Sequence, residues 1–417
     1  MSPVRVLAVN GESDRAETGS FIEMARLGVD ITVMTWPDTP QREALVEAGV
    51  PTIPYKLPGK LSLSAMRVMR KELKRKRYDI LHMLDKRATM NGLWASIGTG
   101  VKLVAYRGIV GNLSYLDPQS WLYLLNPRLD RIICVCEAIR QYLLSLGMPG
   151  IRVRRDVPVT VNKGHDPSWY APPYEDLGQF GIPTDTFVVA CTARGVPRKG
   201  IPVLLDAIGQ LPPGLDIHFL LAGTHMDNPL HQELVKKNQY RDNIHLFGFL
   251  HRMPWILPNC DVSVLPSLKR EGLPRGIIEA MIGGAVPIVT ESGGNPELVE
   301  DGRCGYVVPI GEAAPIRDRI LALYEDRALH ARLSEAARER IRNDFTVERT
   351  ARETIALYEE LLGRTSSLAI FRWMRDKASV SFKSGVCKYV HEHFEWNAQR
   401  RHAPPENGSG KRKGGHE

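Results

Sequence analysis

No apolar run in this chain approaches the ~20 residues that a helix needs to cross a bilayer, so no spanning segment is expected. Cysteine is scarce, six residues in 417 with no C-x-x-C pair, which removes zinc ribbons and thioredoxin-like redox motifs. Cys134 and Cys136 point the same way from one strand and Cys191 ends another, so these thiols read as buried packing. The opening strand is not followed by G-x-G-x-x-G, and the dinucleotide fingerprint is therefore missing. No Asp-x-Asp stands at a strand end, and His391 and His393 lack companions of ligand type, so neither metal nor cofactor is expected. No cleavable leader is recognisable either. Met1 to Arg5 leads straight into VRVLAVN, and the cytoplasm is the expected compartment.

What is present describes a globular protein. A hydrophobic content of 43% and a charged content of 24% suit a soluble chain, and the length suits two domains of ordinary size. Val4 to Val9 is an apolar strand, NGESDRAETGS the loop after it, and FIEMARLGVDITVMT a helix, a turn and a second strand. LSLSAMRVMRKELKRKR is an amphipathic helix expected to turn Leu63, Met66, Met69 and Leu73 inward. From Met66 to Arg77 it carries seven basic residues against one acid. YDILHM ends a strand in His82, which reads as packed rather than reactive. PSWYAPPYEDLGQFGIPTD is proline-rich and aperiodic, as a linker would be. FVVACTARGVPRKG then opens a second set of strands, with IHFLLAG, NIHLFGFL and DVSVLPSLKREG.

The densest information lies in EGLPRGIIEAMIGGAVPIVTESGGNPELV, from Glu271 to Val299. Pro274 suits the first turn of a helix, where its missing N–H would have no partner anyway. Ile277, Ile278, Ala280 and Met281 make that helix apolar, and Gly283 and Gly284 end it. VPIVT follows as a buried strand, and SGGNPE as a tight loop opening another helix at Pro296. Glu279 is the odd residue, a carboxylate inside Ile-Ile-Glu-Ala-Met. Burying it without partners is costly, so donors must reach it, and the vicinal hydroxyls of a ribose would serve. The amides of Gly272 to Arg275, at the helix N-terminus beside Glu271, favour an anion, phosphate above all. Ribose, phosphate and a second hydroxyl-bearing group in a line describe a nucleotide sugar.

Glu, seven residues, Glu within EGLPRGIIEAM, continued by AVPIVTESGGNPELVEDGRCGYVVP, resembles the family 4 retaining glycosyltransferases. The likeness runs from about Val4 to Leu362 and is dense from Phe187 onward. It implies a GT-B fold: α/β, two Rossmann-like doubly wound domains facing across a cleft, with a C-terminal helix crossing back to the first. The implied boundaries are 1–165 for an acceptor-side domain, 166–184 for the linker and 185–345 for a nucleotide-sugar domain. Residues 346–363 would form the crossing helix, and 364–417 a basic, aromatic tail with a disordered end.

By the same resemblance Glu271 holds hydroxyls of the transferred sugar and Glu279 those of the ribose. Arg194 and Lys199 would clamp the diphosphate and stabilise the charge it gains as the glycosidic bond breaks. Gly272, Leu273, Pro274, Gly293, Gly294 and Asn295 would add donor contacts. Gly11 and Gly19 resemble the family's first glycine-containing loop, without its paired glycines. Arg107 stands where relatives often carry a histidine; a guanidinium there can hold phosphate or carboxylate but cannot shuttle a proton. Cys136 takes the place of a usual serine.

The expected activity is metal-independent transfer, with retention, from a nucleotide-diphosphate sugar to a glycan, a lipid-linked precursor or a lipopolysaccharide-type acceptor. The donor is a substrate, not a cofactor. Two rivals are a sugar-nucleotide epimerase or phosphorylase on the same fold, and a non-catalytic basic protein that binds membrane or RNA. The basic helix face and the tail motivate a peripheral contact with anionic lipid on the cytoplasmic side. That tail sets eleven basic residues against five acidic ones and interleaves Phe371, Trp373 and Trp396. The plain alternative is a solvated helix face and aromatics packed on the enzyme's own body. No RNA-binding module is recognisable, and no nucleic-acid partner is expected.

Overall fold

The computed structural model describes residues 2–148 and 150–364; the tail, with Phe371, Trp373 and Trp396, lies outside the described residues. The first sheet contains β1 (Arg5–Val9), β2 (Asp30–Thr35), β3 (Thr52–Pro54), β4 (Ile80–Met83), β5 (Lys102–Arg107) and β6 (Arg131–Cys134). A short antiparallel hairpin, β7 (Gly147–Met148) with β8 (Ile151–Arg152), precedes its last strand, β9 (Pro158–Thr160). The order is β3-β2-β1-β4-β5-β6-β9, with every pairing parallel. The second sheet contains β10 (Phe187–Thr192), β11 (Ile217–Ala222), β12 (Ile244–Phe247), β13 (Val262–Leu265), β14 (Val286–Thr290) and β15 (Tyr306–Val308). Its order is β12-β11-β10-β13-β14-β15, again wholly parallel.

Successive residues of a strand face opposite sides of a sheet, and here both sides are cores. Leu7 and Val9 enter one core and Val6 and Ala8 the other. Phe187, Val189 and Cys191 likewise oppose Val188 and Ala190. That is why VRVLAV and FVVACT are unbroken apolar runs without alternation. These are two Rossmann-like units, as the resemblance implies. In each, the strand order reverses beside the first strand, between β1 and β4 and between β10 and β13. Ligand crevices of such sheets lie at the carboxyl ends of the strands at that point.

The chain leaves the first unit and returns to it side by side. His165 N donates to Phe345 O at 2.7 Å, and Gly164 N to Thr350 Oγ1 at 2.8 Å. The helix Val347–Leu361 then packs on the first unit, where the buried Tyr358 hydroxyl meets His82 Nδ1 at 2.7 Å. Burial alone pushes the His82 imidazole down to about 3, so it stays neutral and structural.

Two local expectations are corrected. The first helix begins at Arg15 rather than near Phe21, because Asp14 and Glu17 form a reciprocal capping box. Gly19 is therefore not in a phosphate-facing loop. It lies inside that helix against Trp169, where an added Cβ would come within 2.5 Å of the ring. The helix Leu63–Lys76 buries Ala65, Met69 and Leu73, whereas Leu63 is 70% exposed. Ser62 is the N-cap, so Leu63 starts the helix one position off its buried stripe.

Candidate functional site

The carboxyl ends of β10 and β13 deliver the charged groups of the second unit. After β10 the chain makes a single 3-10 turn, Pro197–Lys199, and Gly200 opens the helix Ile201–Gly209. After β13 it runs through Ser267 to Glu271 and into the helix Arg275–Gly283. Glu271 is buried, and its contacts fall on one oxygen. Oε1 accepts from Lys199 Nζ at 2.7 Å and from Ser267 Oγ at 2.6 Å, with Arg198 Nη1 at 3.8 Å. Nearly dry charge pairs of this kind need such extra hydrogen bonds to offset desolvation. Arg194 is exposed, and its guanidinium has no hydrogen bond or ion pair among the described residues. Of the two expected clamp cations, then, one is held against Glu271 and the other is free.

Glu279 is in the opposite condition. It lies on the inner face of the helix Arg275–Gly283 at 7% exposure. Its carboxylate accepts no hydrogen bond among the described residues and has only Arg275 Nε at 3.4 Å. Burial pushes its carboxyl up to about 7 against the partial pull of Arg275, with Asp14 of the first unit adding to the rise. Three further oxygens near the carboxyl ends of β10 and β14 are buried without partners: Thr192 Oγ1, Ser292 Oγ and Asn295 Oδ1. Buried polar atoms are normally paired, and these three, closed off from solvent, are structural orphans beside the crevice.

The glycines of this region mark the seam with the first unit. A Cβ on Gly272 would lie 2.2 Å from Gly108 O, and one on Gly294 would lie 2.8 Å from Cys136 Sγ. Gly293 holds φ at +62°, folded against the backbone of Glu271. Leu273 packs into the cores of both units, and Pro274 is the helix N-cap. Asn295 is committed through Nδ2 to Thr290 O at 2.8 Å. Gly272, Leu273 and Gly294 thus join the two units, a role that their sequence pattern does not suggest.

On the first unit, Arg107 is buried and its fork is taken up by its own loop. Nε donates to Ile109 O at 2.9 Å, and Nη2 donates to Gly111 O. The expected anion-binding fork is thus a brace for the loop whose Gly108 meets Gly272. Gly11 N donates to Asp85 Oδ2 at 2.7 Å, and Gly11 O accepts from Thr35 Oγ1 at 2.8 Å, so this glycine ties β1 to its neighbours. Asp14 and Glu17 both bond Lys163, the latter at 3.0 Å. This half-buried cluster adjoins His165, whose burial pushes its imidazole down to about 3.

Glu297 makes a contact between the units that the sequence pattern does not single out. From the short helix Asn295–Leu298 it reaches across the seam and accepts from Glu137 N at 2.6 Å and Ala138 N at 2.7 Å. These are the first amides of the helix Glu137–Ser145, whose N-cap Cys136 makes no side-chain cap bond. Burial pushes the Glu297 carboxyl up to about 7, against those two amides. One signal for it exists: a cysteine stands where a capping hydroxyl is expected.

Residues 175–340 match the family described as "Glycosyl transferases group 1", and residues 22–155 match "Glycosyl transferase 4-like domain". The N-acetyl-alpha-D-glucosaminyl L-malate synthase of Bacillus anthracis is 26% identical over 184 residues, 44% of this chain and 48% of that protein. A lipopolysaccharide core biosynthesis glycosyltransferase of Rhizobium meliloti is 30% identical over 173 residues, 42% of this chain and 50% of that one. The chain thus spans about half the length of these curated relatives. A phosphatidyl-myo-inositol mannosyltransferase of Mycobacterium leprae is 24% identical over 70% of this chain and 76% of its own. Among solved structures, a glycosyltransferase from Rickettsia africae superposes with a TM-score of 0.73 at 19% identity, covering 88% of this chain and all of its own. Anabaena HepE, in complex with UDP-glucose, gives 0.68 at 21% identity over 84% of this chain and 99% of its own. These likenesses agree on two Rossmann-like domains in the GT-B fold, and the two glycosyltransferase family matches between them take in residues 22–155 and 175–340 of the chain.

Proposed function

We propose that the protein transfers a sugar from a nucleotide-diphosphate donor to a glycan or lipid-linked acceptor, with retention and without a metal. The observation that carries this is Glu279, a buried carboxylate lacking a hydrogen-bond donor, on the helix that begins beside Glu271. A ribose diol would give it two O–H donors and favour its charged form. Glu271, fixed through Oε1 by Lys199 and Ser267, has its other oxygen for hydroxyls of the transferred sugar. Arg194 and Lys199 would stabilise the diphosphate as it gains charge. The bond from the anomeric carbon to the diphosphate oxygen breaks, its electron pair staying on that oxygen. The acceptor oxygen bonds the anomeric carbon on the same face, and its proton passes to the departing phosphate oxygen. No side chain serves as nucleophile. The UDP-glucose complex of the HepE relative supports a nucleotide-sugar donor, and the lipopolysaccharide and phosphatidylinositol relatives support a glycan or lipid-linked acceptor.

The test is a thermal-shift screen against UDP-, GDP-, ADP- and CMP-sugars, where ligand at 100 times its dissociation constant adds ~2.7 kcal/mol. A stabilising donor that loses its effect in Glu279→Gln supports the reading. Turnover should survive excess chelator, and NMR of the product should give the donor's anomeric configuration. If no nucleotide sugar stabilises the protein, the reading fails.

A further inference from the structure

We propose that the loop from Leu113 to Leu122 seats the hydrocarbon part of a phosphate-bearing lipid acceptor, with Lys60 and Lys86 holding its phosphate. This rests on the transferase reading and names its acceptor class. The loop follows the carboxyl end of β5, on the edge of the first sheet that faces the crevice. A shallow, open surface recess of about 490 Å³ lies there, lined by Tyr115, Leu116, Pro118, Trp121 and Leu122. Leu116 is 82% exposed. A scattered exposed leucine needs no explanation, but this one is carried by a braced support. Trp121 Nε1 donates to Tyr115 O at 2.7 Å, the two rings meet edge to face at 5.1 Å, and Tyr142 Oη lies 3.0 Å from both Leu113 N and Leu113 O. Asp117 caps the single turn Pro118–Trp121 and accepts from Ser120 Oγ at 2.9 Å. Ordering a loop costs conformational entropy, and here the ordered product is an apolar groove with an apolar tip.

Two lysines meet beside it. Lys60 Nζ and Lys86 Nζ converge on a single neutral atom, Gln119 Oε1, at 3.4 and 3.2 Å. Neither has a carboxylate oxygen within 4 Å among the described residues, and Asp117 spends its oxygens on Gln119 N and Ser120 Oγ. The hydrogen bond from Ser120 and, in smaller part, the nearby Lys86 ammonium hold the Asp117 carboxyl below the usual carboxylate range, yet neither lysine forms an ion pair with it, and a phosphate between the two ammonium groups would gain charge-assisted bonds from both. Leu61 and Leu63, 51% and 70% exposed, flank Lys60 on a segment that Asn91 pins through Gly59 O and Lys60 O. A cation pair rimmed by exposed apolar side chains matches an anionic head joined to a hydrocarbon chain.

The test is calorimetric titration of the full-length protein with farnesyl phosphate below its aggregation concentration, beside farnesol and inorganic phosphate. Saturable one-to-one binding of farnesyl phosphate is expected, much tighter than that of either fragment. Leu116→Asn should weaken it about tenfold, the effect of exposing one large apolar side chain. The double change Lys60→Ala, Lys86→Ala should remove the preference for farnesyl phosphate over farnesol. In both variants the thermal shift by the stabilising nucleotide sugar should be unchanged. Absent binding, or binding untouched by both variants, overturns the lipid seat while leaving the transferase reading intact. So does a dimer in sedimentation that Leu116→Asn dissociates, because the groove would then be covered by a second copy. Farnesyl phosphate binding in a protein that no nucleotide sugar stabilises would uphold the seat and sink the transferase reading instead.

Discussion

The crevice walls of the two units sit at equivalent switch points of two parallel sheets, yet they are built from different materials. On the second unit the charges are pre-set: Glu271 is locked by Lys199 and Ser267, and Glu279 waits buried without a donor. On the first unit the strand ends carry a braced apolar loop, with Lys60 and Lys86 drawn to a neutral amide, and Arg107 is turned onto its own backbone. On the proposed reading the second wall takes a nucleotide-diphosphate donor, and fixed electrostatics suit its charged phosphates. A wall that meets a variable acceptor can vary in sequence as long as the same scaffold holds its loops.

The comparison can be broken most severely at Lys199. Lys199→Ala should leave the buried Glu271 charge with only Ser267 and the more distant Arg198, destabilise the fold by up to about 3–5 kcal/mol, and abolish donor use. The double change Lys199→Ala, Glu271→Gln should recover most of the melting temperature and none of the turnover. Recovery of both would mean the pair is structural only.

Glu279→Gln should act in opposite directions on stability and function. The carboxyl is raised to about 7 by burial, so its folded form favours the proton. The associated stability is present below its unfolded value and is lost as pH rises through 7. Glutamine avoids that loss, so this variant should be more stable above neutrality by about 2–3 kcal/mol. It should also lose ~1.5–3 kcal/mol of donor recognition, roughly 10- to 150-fold in kcat/KM. Denaturation at pH 8 and steady-state kinetics measure the two effects. A variant equally impaired in stability and kinetics would count against an unpartnered carboxylate waiting for ligand.

Glu297→Gln probes the seam between the walls. A glutamine offers one oxygen to two amides and turns its own donors toward them, at a cost of about 1–3 kcal/mol. Because Glu297 turns away from Asn295 to bond the first unit, kcat should fall more than donor affinity, and X-ray scattering of the donor-bound protein should report a larger radius of gyration. An unchanged kcat would make this contact incidental.

The smallest expected effect is on pH. If donor hydroxyls need the Glu279 carboxylate, wild-type donor affinity should rise with pH below about 7 and level off above it. The Glu279→Gln variant should show a flat profile over the same range. A profile of equal slope in both proteins would assign the titration to another group.

Much of this architecture is legible in the order of the amino acids. The unbroken apolar strands, the linker and the Glu271-to-Glu279 spacing announce two Rossmann-like units and the position of one wall, because strand and helix periodicity are local properties. The anomaly of a carboxylate inside Ile-Ile-Glu-Ala-Met is local too, and it survives intact as a buried side chain without a donor. Where local pattern misleads, the reason is distance along the chain. Gly19 has the look of loop chemistry, but the Asp14–Glu17 capping box extends the helix over it and Trp169, 150 residues away, closes on its face. Leu63 fits the helical stripe in periodicity but falls at the helix start, outside the packed arc. Arg107 has the right chemistry for an anion, yet the loop after it supplies nearer acceptors. The sequence by itself determined the elements, the fold class and the residue types at the second wall. Only the tertiary structure decided which charges are already paired, that Glu297 caps a helix of the other unit, and that Lys60 and Lys86 meet beside the Leu116 loop. Those contacts join residues tens to hundreds of positions apart, and no local pattern encodes which partner a side chain will find once two units close.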